Sequence, residues 1–261
     1  MTSAEILSQD LAEAAQKLRD ENQPFAFATI VRTVGATAAP PGAKALLSAE
    51  GKILHGWLGG GCIRGAVRRV ALEALKSGVP QLVSVAPEEL LAEQGITPGT
   101  VLDGMQYARN GCPSRGTIDI FIEPCLPAPE LVILGTSPVA EALATLAPQF
   151  HWTVTAVARE VAGAQNRPPA IVIATQGQGD MDALQRALSV PSAFVAFVGS
   201  TRKFATLADR LEAGGLDRAL IDAVKAPAGL DIGAVTPEEI ALSILAELVQ
   251  IRRKQAKRPH A

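Results

Sequence analysis

The densest chemistry in the sequence lies at Leu58-Gly59-Gly60-Gly61-Cys62. Consecutive glycines permit left-handed backbone and let a ligand come close. A helix-period pattern follows at about 63–76, so the free N–H groups of its first turn face the glycine run and attract an anion. Cys62 stands at that N-terminus with Arg64 just behind it. A thiol so placed gains thiolate character from the helix dipole and nearby cations. Such a group suits ligation of a soft metal, sulfur carriage or nucleophilic attack. The same residues also read as an ordinary strand-to-helix turn whose Cys is a small buried hydrophobe. No CxxC or HxxH spacing accompanies them, which argues against structural zinc.

Four other stretches carry candidate chemistry. Cys112 lies in the polar loop Asn110-Gly111-Cys112-Pro113-Ser114-Arg115-Gly116-Thr117, which reads either as a second wall of the same site or as a plain loop. Gly135-Thr136-Ser137-Pro138-Val139-Ala140 occupies the place of a dinucleotide turn but keeps only the first glycine of G-x-G-x-x-G. Where an acid would bind a ribose, the sequence has Ala158 or Arg159. Ordinary nicotinamide hydride transfer is disfavoured; a packing-only turn and a differently bound dinucleotide stay open. Gly199-Ser200-Thr201-Arg202-Lys203 forms a phosphate or carboxylate cradle at a strand end, or simply a helix start with solvated charges. Asp231, in a Pro/Gly loop, either orients a ligand or caps the turn. Cys125 has no assigned role.

The hydrophobic pattern supplies the scaffold. Positions 3–22 set Ile6, Leu7, Leu11, Ala14, Ala15 and Leu18 on one helical face, with Ser3 as N-cap. Apolar runs at 25–31, 43–48 and 53–58 read as strands, with a loop at 33–42 and a hairpin turn at Glu50-Gly51-Lys52. The helix after the glycine run turns Ile63, Val67, Val70, Ala71 and Ala74 inward and stops at Gly78. Strands are expected at 81–85 and 117–122, separated by an irregular stretch with a short helix at 88–94. Pro124, Pro127 and Pro129 then mark a linker. The expected domains are 1–123 and 130–251, with a linker at 124–129 and a basic tail at 252–261. In the second domain, strands at 131–134, 153–158, 170–174 and 193–198 alternate with helices at 139–147, 181–188 and 203–213, which predicts a parallel, doubly wound sheet. Thr236, Pro237 and Glu239 form a capping box for a last helix, whose apolar face is Ile240, Leu242, Ile244, Leu245, Leu248 and Ile251. The fold class is α/β: an N-terminal α/β domain followed by a Rossmann-like parallel-sheet domain.

Composition narrows the function classes. The chain has 261 residues, 48% of them hydrophobic, and a formal charge of −2, so it is a folding chain with no general affinity for nucleic acid. Aromatics at 4% argue against a base-stacking surface. Five bases and no acid occupy the last ten residues, read as a solvated end. A polar, helix-patterned opening, the lack of a membrane-length apolar run, and three cysteines without paired spacing predict a cytoplasmic protein with no signal peptide.

Taken together, several stretches resemble the XdhC/CoxI family of accessory proteins for molybdenum hydroxylases such as xanthine dehydrogenase and carbon monoxide dehydrogenase. They are Ala28-Thr29-Ile30-Val31-Arg32-Thr33, Pro41-Gly42-Ala43-Lys44, Gly59-Gly60-Gly61-Cys62-Ile63-Arg64-Gly65-Ala66-Val67, the run from Arg115-Gly116-Thr117 to Pro124, Val198-Gly199-Ser200-Thr201-Arg202-Lys203, and Ala226 to Ala234 followed by Thr236-Pro237-Glu238-Glu239. The resemblance spans about 25–248. It implies a molybdenum cofactor-binding maturation factor that shields the cofactor, in molybdopterin or dinucleotide form, supports its sulfuration and helps insert it into an apo-molybdenum hydroxylase. It also implies a homodimer, a cysteine desulfurase as a further partner, and a cofactor-insertion chaperone rather than a turnover enzyme. The family's motif cysteine maps onto Cys62, as molybdenum ligand or sulfur relay, and its Gly-Thr pair onto Gly116-Thr117. Gly59, Gly60, Gly61, Arg64, Lys44, Cys112, Arg115, Gly135, Gly199, Ser200, Arg202, Lys203 and Asp231 complete the candidate cofactor-binding set. Two departures stand out: Gly135-Thr136-Ser137 replaces a G-x-G turn, and Cys112 lies upstream of the position next to the Gly-Thr pair. An NAD(P)-dependent oxidoreductase and a protein-binding assembly scaffold are the alternatives.

Overall fold

The computed structural model describes residues 3–111, 115–155 and 168–256, with side chains from residue 9 to residue 254 within those spans. Cys112, Ala158, Arg159, Lys257 and Arg258 lie outside the described residues, as do the side chains of Ser3, Ile6 and Leu7. The chain divides into two compact units, Met1–Pro127 and Ala128–Ala261.

The first unit runs α1 (Ser3–Asp20), β1 (Phe25–Val34), β2 (Lys44–Leu47), β3 (Ile53–Gly56), α2 (Gly61–Ser77), β4 (Gln81–Ala86), α3 (Glu88–Glu93), β5 (Val101–Leu102), β6 (Met105–Arg109) and β7 (Thr117–Cys125). Its seven-stranded sheet has the order β3-β2-β1-β7-β4-β6-β5. Only the β4–β6 pair is parallel. The alternation of β7 explains the layering. Ile118, Ile120 and Ile122 are buried on the face covered by α2, against Ile63, Val67, Val70, Ala71 and Ala74. Each buried Val, Leu or Ile contributes about 1.5–3 kcal/mol. On the opposite face α1 packs Leu11 and Ala15 onto Phe25 and Leu46. Gly78 ends α2 in the left-handed conformation, φ 71°, donating to Ala74 O at 2.7 Å.

The strands extend past the sequence expectation in three places. Thr33 and Val34 belong to β1, where they pair with Ile118 and Thr117. The hairpin β5–β6 was not expected, because it is short and its Val101 and Leu102 are exposed. Pro124 and Cys125 sit inside β7 opposite Ala26 and Phe25, so the first of the three prolines is strand rather than linker.

The second unit runs β8 (Glu130–Leu134), α4 (Pro138–Leu146), a 3-10 turn (Ala147–Phe150), β9 (Thr153–Thr155), β10 (Ala170–Ile173), α5 (Asp180–Leu188), β11 (Phe194–Phe197), α6 (Thr201–Ala213), α7 (Arg218–Asp222) and α8 (Pro237–Ala256). Four parallel strands lie in the order β11-β10-β8-β9. The sheet is wound both ways from β8, with α4 and α8 on one face and α5, α6 and α7 on the other. The capping box forms as the sequence predicts: Thr236 N donates to Glu239 Oε2 at 2.9 Å, and Glu239 N to Thr236 Oγ1 at 3.3 Å. These bonds hold the Glu239 carboxyl below its ordinary value. Two details differ from expectation. Leu242 is exposed while Ala241, Ile244, Leu245 and Leu248 form the buried stripe. The final helix runs to Ala256, so Arg252 is helical; it stacks on Trp152 at 5.6 Å and donates to Phe150 O at 3.3 Å.

Candidate functional site

Helix α2 runs back along the sheet from β4, so its N-terminus meets the C-terminal ends of β4 and β6 and the start of β7. Gly60 is the N-cap, with extended backbone and no side-chain cap, which leaves the first-turn N–H groups without a side-chain acceptor. Cys62 follows in the first turn as an exposed free thiol, which removes the buried-hydrophobe reading. Arg64 is exposed one residue after Ile63, which turns into the core. Gly59 needs to be glycine, since its φ is +126°. Gly60, Gly61 and Gly65 do not: a Cβ at any of them meets nothing within 4 Å. The helix start is therefore bare beyond what its own packing requires.

The loop after β6 faces this helix start. A Cβ on Gly111 would stand 3.4 Å from Cys62 Sγ. Asn110 anchors the loop: its backbone N–H donates to Ala86 O at 2.7 Å and its side chain to Gly116 O at 2.6 Å. Gly116 is required sterically, because a Cβ there would collide with Ala36 O and Thr37 Cγ2. Arg115 is left-handed, φ 51°, and reaches Glu89 on α3 at 4.0 Å rather than Cys62. Thr117 is buried at the start of β7. Lys44 contributes its carbonyl, which accepts from Trp57 N at 3.2 Å and steadies the segment leading into the glycine run; its side chain is exposed. Cys62, the glycines, Arg64 and Gly111 are thus assembled, and Gly116 and Thr117 are tied to them through Asn110.

In the second unit, the winding direction reverses between β8 and β10, the place where such sheets bind ligands. Gly135 sits there at φ +121°, and a Cβ would collide with Ala174 O. Ser137 is the N-cap of α4, accepting from Ala140 N at 3.2 Å, which is why the turn has no second glycine. Ser200 likewise caps α6, accepting from Lys203 N. Gly199 lies against the Phe197 ring. Lys203 is already engaged, 2.6 Å from Asp180 Oδ2 and over the Phe197 ring at 5.4 Å. Asp180, which the sequence reading missed, is buried and also accepts from Thr175 Oγ1. Burial alone would raise its carboxyl, but the bonds from Lys203 and Thr175 outweigh it and hold it below the ordinary value. Two glycines after a buried strand, Gly177 and Gly179, were the available signal. Arg202 and Asp231 are exposed. Lys203, Ser200 and Ser137 therefore serve the fold first.

Among the described residues, no three His, Cys, Asp or Glu side chains gather as a metal site, and no helix is long and apolar enough to cross a membrane. A curated relative, the uncharacterized protein YqeB of Escherichia coli (strain K12), is 30% identical over 268 residues. The match covers 91% of this chain and 45% of the relative, so the chain spans about half the relative's length. A crystal structure of a xanthine dehydrogenase from Bacillus halodurans is 20% identical, covering 99% of this chain and 98% of that one, with a TM-score of 0.40. The XdhC and CoxI family model matches residues 18–86, which include β1 and the Gly59–Cys62 turn, and the XdhC Rossmann domain model matches residues 131–248, the parallel sheet and its helices. The two models match in order along the chain, which belongs to the XdhC and CoxI family.

Proposed function

We propose that the chain is a maturation factor for a molybdenum hydroxylase of the xanthine dehydrogenase or carbon monoxide dehydrogenase type, carrying molybdenum cofactor as cargo at the start of α2. Family membership supports the general role. The observation that carries the finer reading is an exposed thiol on a helix start stripped of side chains: Cys62 beside Gly60, Gly61 and Gly65, where a Cβ would touch nothing. Free first-turn N–H groups and Arg64 suit the phosphate of an anionic cofactor. With no cluster of metal ligands among the described residues, a metal here brings most of its own donors, as a dithiolene-held molybdenum does. Cys62 then acts as one soft ligand, or carries persulfide sulfur for the cofactor. A thiol this open to solvent also suits release, which a carrier needs as much as capture.

The test is activation of an apo-hydroxylase by cofactor delivered with the parent chain or with Cys62→Ala. The expected result is activation by the parent and a loss of tenfold or more in the variant, since a single soft ligand or the sulfur relay is gone. Equal activation would leave Cys62 without a role and favour a protein-binding scaffold. Stoichiometric nicotinamide binding with hydride transfer would favour the oxidoreductase reading, against which Ser137 stands as a helix cap where a phosphate would approach.

A further inference from the structure

The last helix, α8, is apolar over more of its circumference than the core of the second unit uses. One stripe, Ala241, Ile244, Leu245 and Leu248, is buried among side chains of β8, α4 and β10. The segment 225–230 closes an adjoining flank. Glu247 accepts from Gly229 N at 2.8 Å and meets Lys225 Nζ at 3.4 Å, and Leu230 N donates to Ser243 O at 3.2 Å. Towards the other end of the helix, Arg252 lies over the Trp152 ring and donates to Phe150 O. The helix is therefore held along its length. With about 3.6 residues per turn, the arc left outside carries Glu238, Leu242, Ala246, Val249 and Arg253, at i, i+4, i+8, i+11 and i+15.

The middle of this arc is not that of a solvated helix face. Leu242 is 48% exposed, and Ala246 and Val249 are half-buried. A surface helix places polar residues at such positions, whereas a helix apolar on both sides is one covered on both sides. Val249 is a weak helix former, so local propensity does not account for it. The two ends of the arc carry opposite charges. Glu238 and Glu239 stand in the first turn, Arg253 and Lys254 in the last, and all four are exposed.

Turned antiparallel, the arc complements itself. Ala246 is the midpoint between Glu238 and Lys254 and between Glu239 and Arg253, and it adjoins the midpoint between Leu242 and Val249. Reversal about Ala246 therefore sets Leu242 of one copy against Val249 of the other, and the acids of each against the bases of the other. A two-fold axis makes every such contact twice. The small Ala246 at the crossing lets the helices approach to the short end of the usual interaxial range, about 8–10 Å. We infer that α8 is a self-recognition surface, through which two copies of this chain pair antiparallel about an axis at Ala246. The apolar patch is smaller than a standard interface, so the dissociation constant falls at about 1–10 μM. The inference does not rest on the cofactor reading of Cys62: a chain that pairs through α8 but carries no molybdenum keeps this surface and loses that site, and the reverse holds.

The test is sedimentation velocity of the full chain over about 0.1–100 μM, which brackets that constant. A monomer–dimer equilibrium is expected. Ala246→Glu sets two carboxylates against each other at the axis and should raise the dissociation constant about tenfold or more, with circular dichroism confirming the fold. A charge swap identifies the pairing. Glu238→Lys alone, and Arg253→Glu with Lys254→Glu alone, should each weaken self-pairing, because like charges then meet at both ends. An equimolar mixture of these two variants should recover the dimer, since each copy complements the other. If Ala246→Glu fails to fold, the swap still decides, because its three positions are exposed. A monomer throughout would leave the arc to a different protein and overturn the inference. So would a dimer indifferent to Ala246→Glu, or a mixture that does not recover.

Discussion

The Asp180 carboxylate shows how single residues set the limits of the second unit. It accepts from Thr175, from Gly177 N at 3.3 Å and from Lys203, and so ionises more readily than an ordinary carboxyl. A folded-state value below the unfolded one contributes stability that is complete above about pH 4 and is lost as pH falls through the lowered value. Asp180→Asn should therefore lower stability at pH 7 by about 1–2 kcal/mol, a modest figure because Lys203 is partly solvated. Urea melts should find that deficit fading at acid pH as the parent's own carboxyl protonates. A deficit unchanged down to pH 2 would show that charge has no part in it. At this scale Cys62 was legible because a thiol after three glycines is chemically conspicuous whatever the fold. Arg32 and Asp119 were not: their meeting depends on one bulged residue, and counting by twos from Ile30 gives the wrong face.

At the scale of elements, α2 carries glycines that its packing does not require. Gly61 and Gly65 lie in the helix, where glycine costs about 0.5–1 kcal/mol relative to alanine. Nothing in the packing repays this, because a Cβ at either meets open space. Gly65→Ala should raise stability by about 0.5–1 kcal/mol, and if the bare patch holds cargo, Gly61→Ala and Gly65→Ala together should reduce molybdenum retention. Thermal melts and metal analysis of the same samples read both. Greater stability with retention intact would mean that the glycines are not there for a ligand. The inward face of α2, its Gly78 stop and the Thr236–Glu239 cap were legible because each follows from local spacing. The β5–β6 hairpin was not, since two exposed residues carry no periodicity and the pairing is fixed by β4 alongside.

At the scale of the molecule, two units with separate cores match successive family models. The alternation of strand and helix after residue 130 made the parallel sheet readable, because such connections allow few other arrangements. The mixed sheet of the first unit was harder, as its order joins strands far apart in sequence, β1 beside β7 and β7 beside β4. What the second unit's crevice does for the whole is constrained by Ser137 and Lys203, both already bonded within the fold. The proposed cargo site lies in the first unit, at Cys62. The most direct measurement of that assignment is anaerobic: mix the full chain with freshly released molybdenum cofactor, gel-filter, and quantify molybdenum per chain for the parent and for Cys62→Ala. The account predicts metal co-eluting with the parent and falling in the variant. Equal metal in both, or none with either, would contradict it.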